Sequence, residues 1–195
     1  MIKYCCNKRE GTTMKFKLVY VGEVKINPKK RSQHLQDIRN VLSPQLKRLS
    51  EISPYNVIKE KLQKKGKAIK TVGGVKFFPL ITPDLDLLAE LDIQILHPEL
   101  LETPKADIDN RMKTLLDALK RPQSQHEISE NIDKDEVVYT LLDDDHLVTK
   151  MTINTSHLLY KEEMPKKNRD YELLIIITVN IKASKGTPDN LAVIV

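Results

Sequence analysis

Cysteine is almost missing from this chain of 195 residues: the two present, Cys5 and Cys6, are adjacent and lie near its start. Neighbouring thiols cannot staple a domain and have no metal-ligand spacing, so a disulfide scaffold or cysteine-zinc module is excluded. A reducing, cytoplasmic setting is expected. Long apolar runs are missing too. The longest, Leu173 to Val179, suits a buried strand and is far short of the ~20 residues a bilayer demands, so no membrane partner is expected. Residues 1–13 are polar and contain no signal-peptide core. They read as a loose extension ahead of a single domain, 14–195, and Met14 is an alternative start. Internal repeats and low-complexity segments are absent, and the length suits one full core carrying an insertion.

What the chain does have is charge, unevenly placed. The net charge of +5 combines a basic stretch, residues 15–76 with 16 Lys/Arg against 4 Asp/Glu, and an acidic one, residues 77–195 with 13 against 22. A basic run is often only a solvated face. Its coexistence with acidic clusters in one small protein favours a nucleic-acid partner, with cations bound on the acidic side.

Alternation from Lys15 to Val24 predicts a first strand. After the basic turn Asn27–Arg31, a helical phase runs through Leu35, Ile38, Leu42, Leu46 and Leu49, with Pro44 expected to break or restart it. Tyr55 to Lys70 is a second basic amphipathic stretch, with Val57, Ile58, Leu62 and Ile69 inward. Val75–Leu80 forms a short strand that Pro79 marks as an edge. Leu91–Leu96, Met151–Leu159 and Tyr171–Lys182 are further strands. The polar segment Arg121–Lys134 is expected as a surface insertion. Together these predict an α+β domain, a mixed sheet flanked by helices.

The chain is organised around Ala106–Leu119. Asp107 and Asp109 share a face if extended, and from Asp109 or Asn110 a helix follows, with Met112, Leu115, Leu116 and Leu119 inward. Lys113 and Asp117 follow Asp109 at successive turns, off the apolar stripe. An acid ahead of a helix is commonly just a cap, but two close carboxylates call for a cation, and Mg²⁺ takes hard oxygen ligands. The similar Asp84 and Asp86 follow Thr82-Pro83, an N-cap with proline at the first helical position, and are expected to serve that turn alone. A third acidic cluster, Asp143-Asp144-Asp145, sits between apolar residues, where carboxylates need solvent or a cation. His97 and His126 are lone histidines to which no role is assigned.

The run Asp107-Ile108-Asp109-Asn110-Arg111-Met112-Lys113, continuing to Asp117-Ala118-Leu119 and then to acids before a hydrophobic strand, resembles the RusA family of Holliday junction resolvases. The resemblance covers about half of the chain, from Leu91 to Lys182, and is nearer to a longer bacterial branch than to compact phage-type members. It implies a homodimeric, Mg²⁺-dependent, structure-selective endonuclease acting on branched DNA, with Mn²⁺ as a substitute and no small-molecule cofactor. Catalytic roles carry over to Asp107, Asp109, Lys113 and Asp145, and metal ligation to Asp107, Asp109, Asp144 and Asp145. A one-residue slip would exchange the last pair for Asp143-Asp144. Backbone grip is assigned to Lys29, Lys30, Arg31, Lys64, Lys65, Lys67 and Arg111. The link from Leu119 to the triplet is longer than in compact members, and the first 80 residues hardly match.

Two other functions compete. A non-catalytic branched-DNA- or RNA-binding protein would keep the basic face and show salt-sensitive binding without cutting. A nucleotidyltransferase-like enzyme also uses two spaced aspartates and a later acid, but Glu99–Lys105 lacks the usual Gly-Ser element.

Overall fold

The computed structural model describes residues 14–26, 28–97, 108–158 and 173–191. Strand β1 (Met14–Gly22) is followed by helix α1 (Arg31–Leu49), helix α2 (Asn56–Lys64) and the hairpin β2 (Lys70–Val72) and β3 (Val75–Ile81). Then come β4 (Leu87–His97), helix α3 (Ile108–Leu119), β5 (Val137–Leu142), β6 (Val148–His157) and β7 (Leu173–Ala183). The α+β expectation holds, but there are two mixed sheets where one was expected. One runs β1-β7-β4-β6, with β4 and β6 parallel and the other pairs antiparallel; the other runs β2-β3-β5, with β3 and β5 parallel. The second sheet depends on β5, a strand not anticipated despite the contiguous Val137-Val138-Tyr139-Thr140-Leu141-Leu142.

Both sheets share one core. Ile93 and Ile95 of β4 and Ile175, Ile177 and Val179 of β7 are buried with Phe78, Leu80 and Leu141 from the second sheet. Leu35, Ile38, Leu42 and Leu46 of α1 and Met112, Leu115 and Leu119 of α3 close it. Alternation along β7 puts Leu173, Ile175 and Ile177 fully inside and leaves Leu174 and Ile176 half-buried. Residues 121–134 are more than surface: Ile128 and Ile132 pack on Val75, Phe77 and Val138, and Ser129 is buried.

Local expectations fail where packing or turn chemistry overrides them. Pro44 lies inside an unbroken α1. Its ring removes the bond to the Asn40 carbonyl, yet the buried residues on both sides, Leu42 and Leu46, hold the helix through it. The neighbouring Ser43 hydroxyl accepts from the Tyr139 N–H at 2.9 Å, tying α1 to β5. Ile69, expected inside, is exposed because α2 stops at Lys64 and Gly66 turns the chain at φ 66°. β3 is the middle strand of its sheet rather than the edge that Pro79 suggested; the proline is tolerated there because the short β2 pairs with β3 only as far as Phe77, leaving no β2 acceptor opposite the missing N–H. Thr82 and Pro83 do start a short 3-10 turn, and the Thr82 hydroxyl accepts from the Asp84 N–H. No helix of the described residues is long and apolar enough to cross a membrane.

Candidate functional site

Helix α3 begins at Ile108, so Asp109 belongs to its first turn rather than to an extended segment. Asp107 lies outside the described residues, and so does its shared face with Asp109. From Asp109 the helix repeat carries Lys113, Asp117 and Lys120 along one stripe, while Met112 and Leu115 turn to the core.

The opposite wall comes from the segment after β5. The Arg121 N–H donates to the Leu142 carbonyl at 2.9 Å, and Lys120 bridges to Leu142. That seam fixes the end of α3 beside the end of β5, just where the acidic triplet begins. The three carboxylates then diverge. Asp143 is buried and paired with Lys70 and with Arg121 Nε, the latter at 2.7 Å. Asp144 caps the turn Asp145–Leu147, accepting from the His146 N–H at 3.1 Å and contacting its ring at 2.7 Å. Slight burial pushes the Asp144 carboxyl up, but these contacts and the Asp145 carboxyl outweigh it and hold it at about 2. Asp145 alone of the three lines the cleft.

The cleft, about 370 Å³, is lined by Asp109, Lys113, Asp117, Lys120 and Asp145, with Met112, Leu116, Met151 and Ile153 as its apolar part. Three expected site residues, Asp109, Lys113 and Asp145, are therefore brought together although Asp145 is distant in sequence. Asp144 is directed to its cap, and Asp143, the alternative in the slipped register, is consumed by the Lys70–Arg121 network. Lys120 was not anticipated; it extends the Asp109–Lys113–Asp117 stripe by one more turn, and that period was the available signal. Its Nζ lies 2.8 Å from Asp145 and 3.2 Å from Asp117. Burial opposes the charge on Lys120, but hydrogen bonds to Asp145 and Asp117 prevail and raise its pKa.

The basic residues divide as well. Arg31 pairs with Asp117, so the start of α1, with exposed Lys29 and Lys30, adjoins the cleft. That start has no side-chain cap and no acid in its first turn, leaving helix N–H groups beside the lysines. Lys64 ends α2, Lys65 and Lys67 follow it, and none of the three lines the cleft; Lys65 pairs with Asp189 and Lys67 with Asp84. Arg111 is half-buried on α3, off the stripe; burial first, then the charge of Arg111 and His157, depresses the His97 pKa.

Among the described residues no three His, Cys, Asp or Glu side chains form a metal-binding group. The donors at hand, the exposed carboxylates of Asp109 and Asp145 on two walls of one cleft, suit a hard divalent ion that keeps part of its water shell. Fold and cleft together define an α+β domain with an open carboxylate–lysine site. No protein-family model, no curated protein and no solved structure matches the chain.

Proposed function

We propose that this chain is a Mg²⁺-dependent, structure-selective endonuclease of the RusA kind, hydrolysing phosphodiesters in branched DNA. The observation that supports it is the meeting in one cleft of Asp109 and Lys113, neighbours on α3, with Asp145 from the turn after β5, the residues that the motif resemblance selects. Asp109 and Asp145 would hold the ion, joined by Asp107 on the strength of the motif. When bound, the ion supplies an acidified water and a counter-charge for the scissile phosphate. Lys113 brings a compact cation to the same cleft, suited to the charge that develops on a phosphate oxygen. Lys29 and Lys30 at the start of α1 grip the backbone without reading bases, with a smaller share from Arg31, which is paired with Asp117. Lys65 and Lys67, already paired, contribute less. A two-fold homodimer matches the paired strands of a four-way junction.

The test is cleavage of a synthetic mobile four-way junction, with linear duplex as control, in Mg²⁺, Mn²⁺ or EDTA. Paired, metal-dependent nicks that Asp109→Asn abolishes are expected. Salt-sensitive junction binding without nicks in any divalent ion would favour the non-catalytic binding protein instead.

A further inference from the structure

Lys120 sits where an added cation would have to act. Its stem is fixed by the seam between α3 and β5, its side chain is only 15% exposed, and its ammonium spans Asp117 and Asp145. Asp117 is doubly held, since Arg31 pairs with it from α1. Asp145 is 47% exposed and has Lys120 as its basic partner among the described residues. Two lysines, Lys113 and Lys120, thus line the cleft beside Asp109, Asp117 and Asp145, and with Arg31 on Asp117 the acids are largely offset before any divalent ion arrives.

On the strength of the nuclease reading above, we propose that Lys120 is a built-in counter-ion that positions Asp145 and competes with the divalent ion for it, thereby setting the metal affinity of the site. The two partners of Lys120 make the exchange local. When Asp145 turns to a metal ion, the ammonium keeps Asp117, one helical turn behind it, so neither charge is left bare. Without the ion, Lys120 keeps Asp117 and Asp145, the two carboxylates it touches, from standing as uncompensated acids. Lys120 is a positioning residue here: it acts through Asp145, and removing its charge should improve metal binding while leaving the ligands in place.

The experiment titrates the full chain, without DNA, with Mn²⁺ and follows the electron paramagnetic resonance signal of the free ion. Wild type, Lys120→Met, Lys120→Arg and Asp145→Asn are compared, with circular dichroism verifying the fold of each. Lys120→Met is expected to bind Mn²⁺ about tenfold more tightly, equivalent to ~1.4 kcal/mol. Lys120→Arg, which restores the charge, should stay within about twofold of wild type, and Asp145→Asn should bind more weakly than wild type. Should Lys120→Met not fold, Lys120→Gln, which keeps a polar head without the charge, replaces it. Mn²⁺ binding that is unchanged or weaker in the uncharged variant would overturn the role of Lys120 while leaving the metal site standing. Absence of binding in every variant would overturn the metal-site reading and this role with it.

Discussion

Alanine at Asp143 and alanine at Asp145 should have opposite consequences, although only Asp144 separates them. The Asp143 side chain is 8% exposed and accepts from Lys70 and Arg121, whose side chains are 25% and 16% exposed. Removing one member of a buried ion pair costs ~3–5 kcal/mol, mainly through the charge left behind. The cost is reduced here because Lys70 keeps Asp84 at 3.0 Å and both cations retain some solvent. Asp143→Ala should therefore lose ~2–3 kcal/mol. Asp145 is nearly half exposed and its pair with Lys120 is of the surface kind, so Asp145→Ala should change stability by less than ~1 kcal/mol. Urea unfolding followed by far-UV circular dichroism measures both, with the midpoint compared at constant slope. Junction cleavage should show the reverse order: Asp145→Ala inactive, folded Asp143→Ala still cutting. Equal stability losses for the two, or a stable and inactive Asp143→Ala, would refute this division of labour.

Three other outcomes follow from the same contacts. Arg39, 1% exposed, donates to the carbonyls of Asp117 at 2.8 Å, Ala118 at 3.3 Å and Glu127 at 3.4 Å; Arg39→Met leaves them unpaired and should cost ~2–4 kcal/mol in urea unfolding. Burial, then Lys25, depresses the His34 pKa below 6.5, and its Nε2 accepts from the Lys25 N–H at 3.0 Å. The folded state thus takes up protons less readily, so its stability is full above pH 6.5 and falls as pH drops through the depressed folded value; His34→Gln should flatten the urea midpoint between pH 7.5 and 5.5. Replacing Lys29 and Lys30 with alanine should weaken junction binding and lower its salt slope by about 2, whereas the same change at Lys65 and Lys67 should have a smaller effect.

The α3 motif was legible because its chemistry and its period coincide: Met112, Leu115 and Leu119 face the core while Asp109, Lys113 and Asp117 share the other side. The β1, β4, β6 and β7 strands were legible within a few residues at their ends, since each alternates or is strongly apolar. β5 was hidden between a polar segment and the acidic triplet, and without it the second sheet could not be inferred. The separate roles of Asp143 and Asp145 depend on partners distant in sequence, Lys70 and Lys120, which no local pattern reveals, whereas Asp144 takes the local one, His146. The same holds for Lys64, Lys65 and Lys67, which look like Lys29 and Lys30 in sequence but lie at and beyond the end of another helix, with Lys65 and Lys67 spent on Asp189 and Asp84. The continuity of α1 through Pro44 was decided by the core on either side, against the local rule.

The central claim is that Asp109 of α3 and Asp145 of the turn after β5 act as one site. Single-turnover cleavage of a four-way junction by Asp109→Asn, Asp145→Asn and the double variant tests it most directly. Residues that act as a unit are strongly non-additive, so the double variant should be no slower than the slower single one. Independent, multiplying losses, or an Asp145→Asn variant that cuts at the wild-type rate, would contradict it.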